Sequence, residues 1–245
     1  MDDCNVLETL EKNGYKAHIM LDEYPSDPRK RYEHDTVIVD WLRTYTIGDR
    51  KATENEIEAY RRGGIALLTR YLSITKNAHT VVPLRLLDHS GLRLWIGDGY
   101  ESEAYGGWDS GQAGFAYITR ETVEKHGFAD PWSVLASDVQ EMDSYLSGDV
   151  YGIVIVDPYG QEVDSYWGFI GATDALESAH LMLDDYADIP PTRDYLVIGY
   201  YPDDGTRFAE TYHAESPAQA ELFAVQEHGV TVVATIVDTD LHVTS

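Results

Sequence analysis

Between Lys125 and Arg193 the chain carries 13 acidic residues and not one lysine or arginine. A carboxylate buried without a partner costs several kcal/mol. Any fold of this stretch must therefore keep those groups at the surface or bring cations to them from elsewhere. Apolar runs alternate with the acids, notably Val150 to Val156. The segment thus reads as buried strands with acidic helices at the periphery.

The asymmetry extends over the whole chain of 245 residues. Residues 1–100 hold 16 acids and 14 lysines or arginines, whereas residues 101–245 hold 27 acids and four basic residues; the total is −25. Such a surface repels nucleic acid, so direct binding of DNA or RNA is not expected. Three readings of it compete. One is solubility or adaptation to a salty or GC-rich host, which the six lysines fit. Another is imitation of nucleic-acid phosphates, which requires dense acidity because duplex DNA carries a charge every ~1.7 Å. The third is cation binding, but no D-x-D-x-D-G loop with its twelfth-position Glu is present.

At 43% hydrophobic residues the chain can build one sizeable core or a core with a small satellite. No apolar run approaches the ~18 residues needed to span a bilayer. The acidic Met1-Asp2-Asp3 start lacks the character of an export signal, and Cys4 is the sole cysteine. A cytoplasmic protein without membrane contact is expected.

The pattern predicts an α+β fold, mainly antiparallel sheet with peripheral helices, plus a small C-terminal ββαβ domain. Residues 5–13 read as a short helix, Tyr15 to Leu21 as a strand, and residues 25–30 as a loop because of Pro25 and Pro28. Thr36 to Val39 is a β-branched strand. Thr53-x-x-Glu56 has capping-box spacing and opens a helix to about Leu72, with Gly63-Gly64 as its weak point. Val81 to Leu87 and Leu92 to Ile96 make a hairpin, followed by a Gly- and Tyr-rich loop over 97–107. A strand over 114–119 precedes two helices, the second capped by Asp130 with Pro131 at its first position and ending at Gly148. Val150 to Val156 and Val163 to Trp167 form another hairpin, and 172–186 an acidic amphipathic helix. Main domain 1–188, Pro-rich linker 189–193 and small domain 194–245 are the expected boundaries.

Two sets of residues are candidates for function. The acidic, tyrosine-studded surface consists of Asp138, Glu141, Asp143, Asp149, Glu177, Asp184, Asp185 and Asp188 with Tyr145 and Tyr186. Tyrosine supplies contact area at low entropy cost and is enriched at interfaces, although it also fills half-buried strand positions. The alternative is a pocket of Asp88, His89 and Ser90 with Trp108, Asp109, Ser110 and Gln112. Its residue types suit a polar ligand, or hydrolysis with His89 as base. Adjacent side chains in a turn point apart, however, whereas a catalytic triad converges. Turn residues leading into a strand are the plainer explanation of both stretches. No histidine pair has zinc spacing, and no phosphate loop or dinucleotide fingerprint occurs, so no metal or cofactor is expected.

The blocks DHSG (88–91), WDSGQAGFAY (108–117), YLSGDVYG (145–152) and DSYWGFIG (164–171) occur in this order. With them the chain resembles a group of uncharacterised proteins of bacteriophages and plasmids, over roughly residues 17–187. Residues 65–77 stand as an insertion against that pattern, and the ββαβ tail lies outside it. The resemblance implies a mobile-element setting and no catalytic residue. Together with the charge asymmetry it leads to the expectation of an anti-defence protein, anti-restriction or anti-CRISPR. Such a protein presents a DNA-like acidic face to a partner with a basic groove. The alternative expectation is a small-ligand, nucleotide-binding or hydrolytic domain at the Asp88 turn.

Overall fold

A computed structural model describes residues 6–89, 91–97 and 110–237. Among them are twelve strands and six helices, forming three mostly antiparallel sheets. The α+β expectation holds. Two compact units are present, one of Met1–Thr9, His18–Val154 and Ser165–Ala179, the other of Leu10–Ala17, Ile155–Asp164 and His180–Ser245.

The chain opens with strands β1 (Val6–Lys12) and β2 (Tyr15–Leu21). The short helix expected over 5–13 is therefore replaced by a strand. The reason is the Asn13-Gly14 pair, whose φ angles of 52° and 83° are those of a two-residue hairpin turn. The loop expected over 25–30 is likewise corrected, because α1 (Pro28–Arg31) forms one helical turn. Asp27 caps it, accepting from the Arg29 amide at 3.0 Å, and Pro28 at its first position needs no amide partner.

The first unit is centred on a five-stranded sheet of order β4-β3-β7-β5-β6. Its strands are β3 (Thr36–Asp40), β4 (Arg50–Lys51), β5 (Ala78–Asp88), β6 (Leu92–Ile96) and β7 (Ser110–Thr119). Only β3 and β4 run parallel. Central strand β7 is buried from Ala113 to Ile118 because both faces are covered. On one face Ile38, Leu84, Leu86, Ala116 and Ile118 pack against Leu135, Val139 and Met142 of α4 (Pro131–Ser147). On the other, Val39, Phe115 and Tyr117 pack against Leu68 and Leu72 of α2 (Glu54–Thr75). The two-residue period of a strand assigns neighbouring residues such as Ile38 and Val39 to opposite helices. Each fully buried leucine or isoleucine contributes about 1.5–3 kcal/mol.

Helix α2 starts at the expected capping box. The Thr53 hydroxyl accepts from the Glu56 amide at 3.4 Å, and the Glu56 carboxylate accepts from the Thr53 amide at 2.8 Å. The helix breaks at Gly63 and at Gly64, whose φ of 60° is left-handed. Short α3 (Arg120–His126) ends at left-handed Gly127, and α4 begins at its Asp130 cap.

Strands β8 (Val150–Val156) and β9 (Glu162–Ile170) join β1 and β2 in a four-stranded sheet of order β1-β2-β8-β9. Trp167 lies over Gly152, where an added Cβ would stand 2.2 Å from the indole ring. The hairpin turn is organised by buried Asp157, which accepts from the amides of Tyr159 (2.9 Å) and Gln161 (2.8 Å). Helix α5 (Ala172–Ala187) buries Ala175, Ala179, Leu183 and Ala187 and exposes Asp174, Glu177, Asp184 and Asp185.

The chain closes with a three-stranded antiparallel sheet of order β11-β10-β12 and one helix. Strands β10 (Arg193–Tyr200) and β11 (Arg207–Ala214) form a hairpin, followed by α6 (Pro217–His228) and β12 (Thr231–Val237). Ala220 and Ala224 of α6 pack on Tyr195, Val197, Phe208 and Val230. Among the described residues no helix is long and apolar enough to cross a membrane.

Candidate functional site

Two carboxylates of α4 meet α1 and the residues that follow it. Arg29, with only 3% of its side chain exposed, donates from Nε and Nη2 to Asp49 (3.0 and 2.7 Å) and from Nη1 to Asp138 (3.1 Å). Nη2 also donates to the Thr36 carbonyl at 2.6 Å. The rigid guanidinium fork is what allows one side chain to serve three acceptors. Asp138 additionally accepts from the Thr36 hydroxyl. His34 is oriented by Nε2, which donates to the Pro28 carbonyl at 3.0 Å, so that Nδ1 faces Asp138 at 3.7 Å. Glu141, one helical turn beyond Asp138, completes a group whose ligand-type atoms all lie within 4.8 Å of one another. Burial pushes the Glu141 carboxyl above its ordinary range, opposed by His34 and Arg29.

Of the other acidic candidates in the first unit, Asp143 is clamped by Arg93 at 2.8–3.1 Å and accepts from the Leu94 amide at 2.6 Å. Asp149 is half-buried and accepts from the Ser144 hydroxyl at 3.3 Å. Tyr145 packs against the α4 core. Glu177 is exposed. The notion that the later carboxylates stand unpaired therefore fails for Asp138 and Asp143, because cations from the first hundred residues reach them.

In the second unit Asp184 pairs with Lys12 at 2.9 Å, both groups being well exposed. Tyr186 donates to Asp164 and lies 6.5 Å, centroid to centroid, from the ring of Tyr15. The Tyr15 hydroxyl in turn donates to the Ile189 carbonyl at 3.1 Å. Asp185 and Asp188 are exposed. So are Asp203 and Asp204 in the β10–β11 turn, Glu215 ahead of α6 and Glu227 within it.

The pocket candidates are engaged separately. Exposed Asp88 accepts from the Tyr45 hydroxyl at 2.8 Å, and the His89 amide closes the turn onto the Gly91 carbonyl at 3.2 Å. Gln112 donates its amide to the carbonyls of Leu84 (3.0 Å) and Gly114 (3.3 Å), filling the register shift of the β5–β7 pair. Ser110 accepts from Arg85 at 3.3 Å. Ser90, Trp108 and Asp109 lie outside the described residues. A cleft of about 240 Å³ beside Asp88 is lined by Leu42, Arg43, Thr44, Tyr45, Leu86 and Gly111.

Sequence reasoning missed the partnership of His34 with Asp138 and Glu141, because 104 residues separate the histidine from the first acid. The only local signal was the Asp-x-x-Glu spacing on α4. Comparison with protein-family models, with curated proteins and with solved structures gives no match to this chain.

Proposed function

We propose that the chain is a non-enzymatic accessory protein of a mobile element that counters host defence. It presents the carboxylates of its second unit to the basic groove of a DNA-binding protein, such as a restriction or CRISPR nuclease. One observation carries this reading. Among its described residues that unit holds 14 acids against four lysines or arginines, namely Lys12, Lys16, Arg193 and Arg207. Lys12 pairs with Asp184 and lies within electrostatic reach of Asp188, and Arg193 lies over the ring of Tyr159 at 4.6 Å. Asp185, Asp188, Asp203 and Asp204 stay exposed. Carboxylates in excess of the in-chain cations attract a cationic partner over a distance set by the salt concentration. The resemblance to phage and plasmid proteins supplies the setting.

The test is competition between this protein and labelled duplex DNA for a panel of restriction and CRISPR nucleases. The reading expects displacement of DNA that weakens steeply between about 50 and about 200 mM salt. Displacement insensitive to salt, or none across the panel, contradicts it.

The cleft beside Asp88 favours a second reading, a small-ligand, nucleotide-binding or hydrolytic site. Arg43 and Asp88 at its wall offer one charge of each sign. On this reading the purified chain retains a nucleotide at low salt, and Asp88→Asn with His89→Ala lowers retention about tenfold or more. Mass spectrometry of the released ligand checks it, and equal retention by the double variant excludes it.

A further inference from the structure

We propose that His34, Asp138 and Glu141 form a mononuclear site for a divalent first-row transition metal, with water in the remaining positions. The His34 imidazole is held in one tautomer. A carbonyl oxygen can only accept, so the 3.0 Å contact to Pro28 places the proton on Nε2. In the neutral ring this leaves the Nδ1 lone pair free. Nδ1 points at Asp138 from 3.7 Å, beyond hydrogen-bond length, and the His34 side chain is only 10% exposed. Metal-bound histidines commonly donate their other nitrogen to a backbone carbonyl in this way, which fixes the tautomer and the ring orientation.

The carboxylates supply the rest. Asp138 and Glu141 stand one turn apart on the same face of α4, and their oxygens and a His34 ring nitrogen lie mutually within 4.8 Å. Three ligands about 2.0–2.2 Å from a common centre stand at most about 4.4 Å apart, so small side-chain adjustments bring this group to ligating distance. Arg29 and the Thr36 hydroxyl both bond Oδ2 of Asp138, the oxygen nearest His34, which leaves Oδ1 with its lone pairs for a metal. Arg29 is balanced by Asp49 on its other side. The cluster of Asp49, Asp138 and Glu141 with Arg29 thus has a formal charge of −2, which one divalent cation neutralises. One imidazole and two carboxylates suit zinc or manganese rather than a thiolate-seeking ion.

Isothermal titration of metal-stripped full-length protein with zinc chloride, and separately with manganese chloride, tests the site. The wild type is expected to bind one equivalent of at least one of the two ions. His34→Gln and Glu141→Gln are expected to weaken that binding about tenfold or more. The Glu141 carboxylate makes no hydrogen bond among the described residues, so Glu141→Gln remains decisive if His34→Gln fails to fold by circular dichroism. Absence of saturable binding in the wild type overturns the proposal. So does equal affinity in Glu141→Gln, which would show that the ion binds elsewhere on the chain.

Discussion

Gly114 and Gly111 sit three residues apart on β7 and meet opposite surroundings. A Cβ at Gly114 would lie 2.0 Å from the Val39 carbonyl oxygen, whereas one at Gly111 would meet nothing within 4 Å. Strands β3 and β7 approach each other closely at the former and not at the latter. Gly114→Ala is expected to destabilise the protein by about 1–3 kcal/mol and Gly111→Ala by less than about 0.5 kcal/mol, read by urea unfolding. Equal losses would show that glycine serves β7 through its conformational freedom instead. Arg29 illustrates the same dependence on surroundings. Its fork joins Asp49, Asp138 and the Thr36 carbonyl, so a residue written inside a short basic run, Arg29-Lys30-Arg31, is the least exposed cation of that run.

Helix α2 shows how an element gains a pH dependence. Burial of Glu56 works to raise its pKa, but the hydrogen bonds from Arg50 at 2.7 and 2.9 Å and from the Thr53 amide outweigh it, and the net shift is downward. The unfolded chain therefore holds this proton to a higher pH than the folded one. The stabilisation is complete above the ordinary glutamate range and is lost as pH falls through the depressed folded value. Glu56→Gln is expected to cost roughly 2 kcal/mol at neutral pH, where the charge-assisted bonds are lost. The gap to wild type should close in thermal melts taken below about pH 4.5. A gap that persists in acid contradicts the account. This element was legible beforehand, since capping box, diglycine break and apolar period all occur locally. The Asp130 cap of α4, the β5–β6 hairpin and the C-terminal ββαβ order were readable for the same reason. Strand β1 was not, because its exposure pattern lacks clean alternation and the decisive signal is the following Asn13-Gly14 turn. The fate of individual acids was unreadable too: whether Arg93 reaches Asp143 depends on a contact spanning 50 residues.

At the scale of the whole molecule, charge is distributed by unit rather than by half-chain. In the first unit, cations from the N-terminal hundred residues neutralise acids of α4, as with Arg29 and Asp138 or Arg93 and Asp143. In the second, 14 acids face four lysines or arginines among the described residues, and most of those acids are exposed. A uniform adaptation to salt would not require the two units to differ. The proposed docking to a basic partner requires such an imbalance, which points to the residues to reverse. Asp184 is a poor choice, since its loss also breaks the pair with Lys12. Asp185 and Asp188 are the better ones.

The most direct measurement is the affinity of the Asp185→Lys, Asp188→Lys double variant for whichever nuclease the wild type displaces from DNA, taken at low and moderate salt. The account predicts at least about tenfold weaker binding at low salt and a shallower salt dependence. Wild-type affinity with an unchanged salt slope would contradict it.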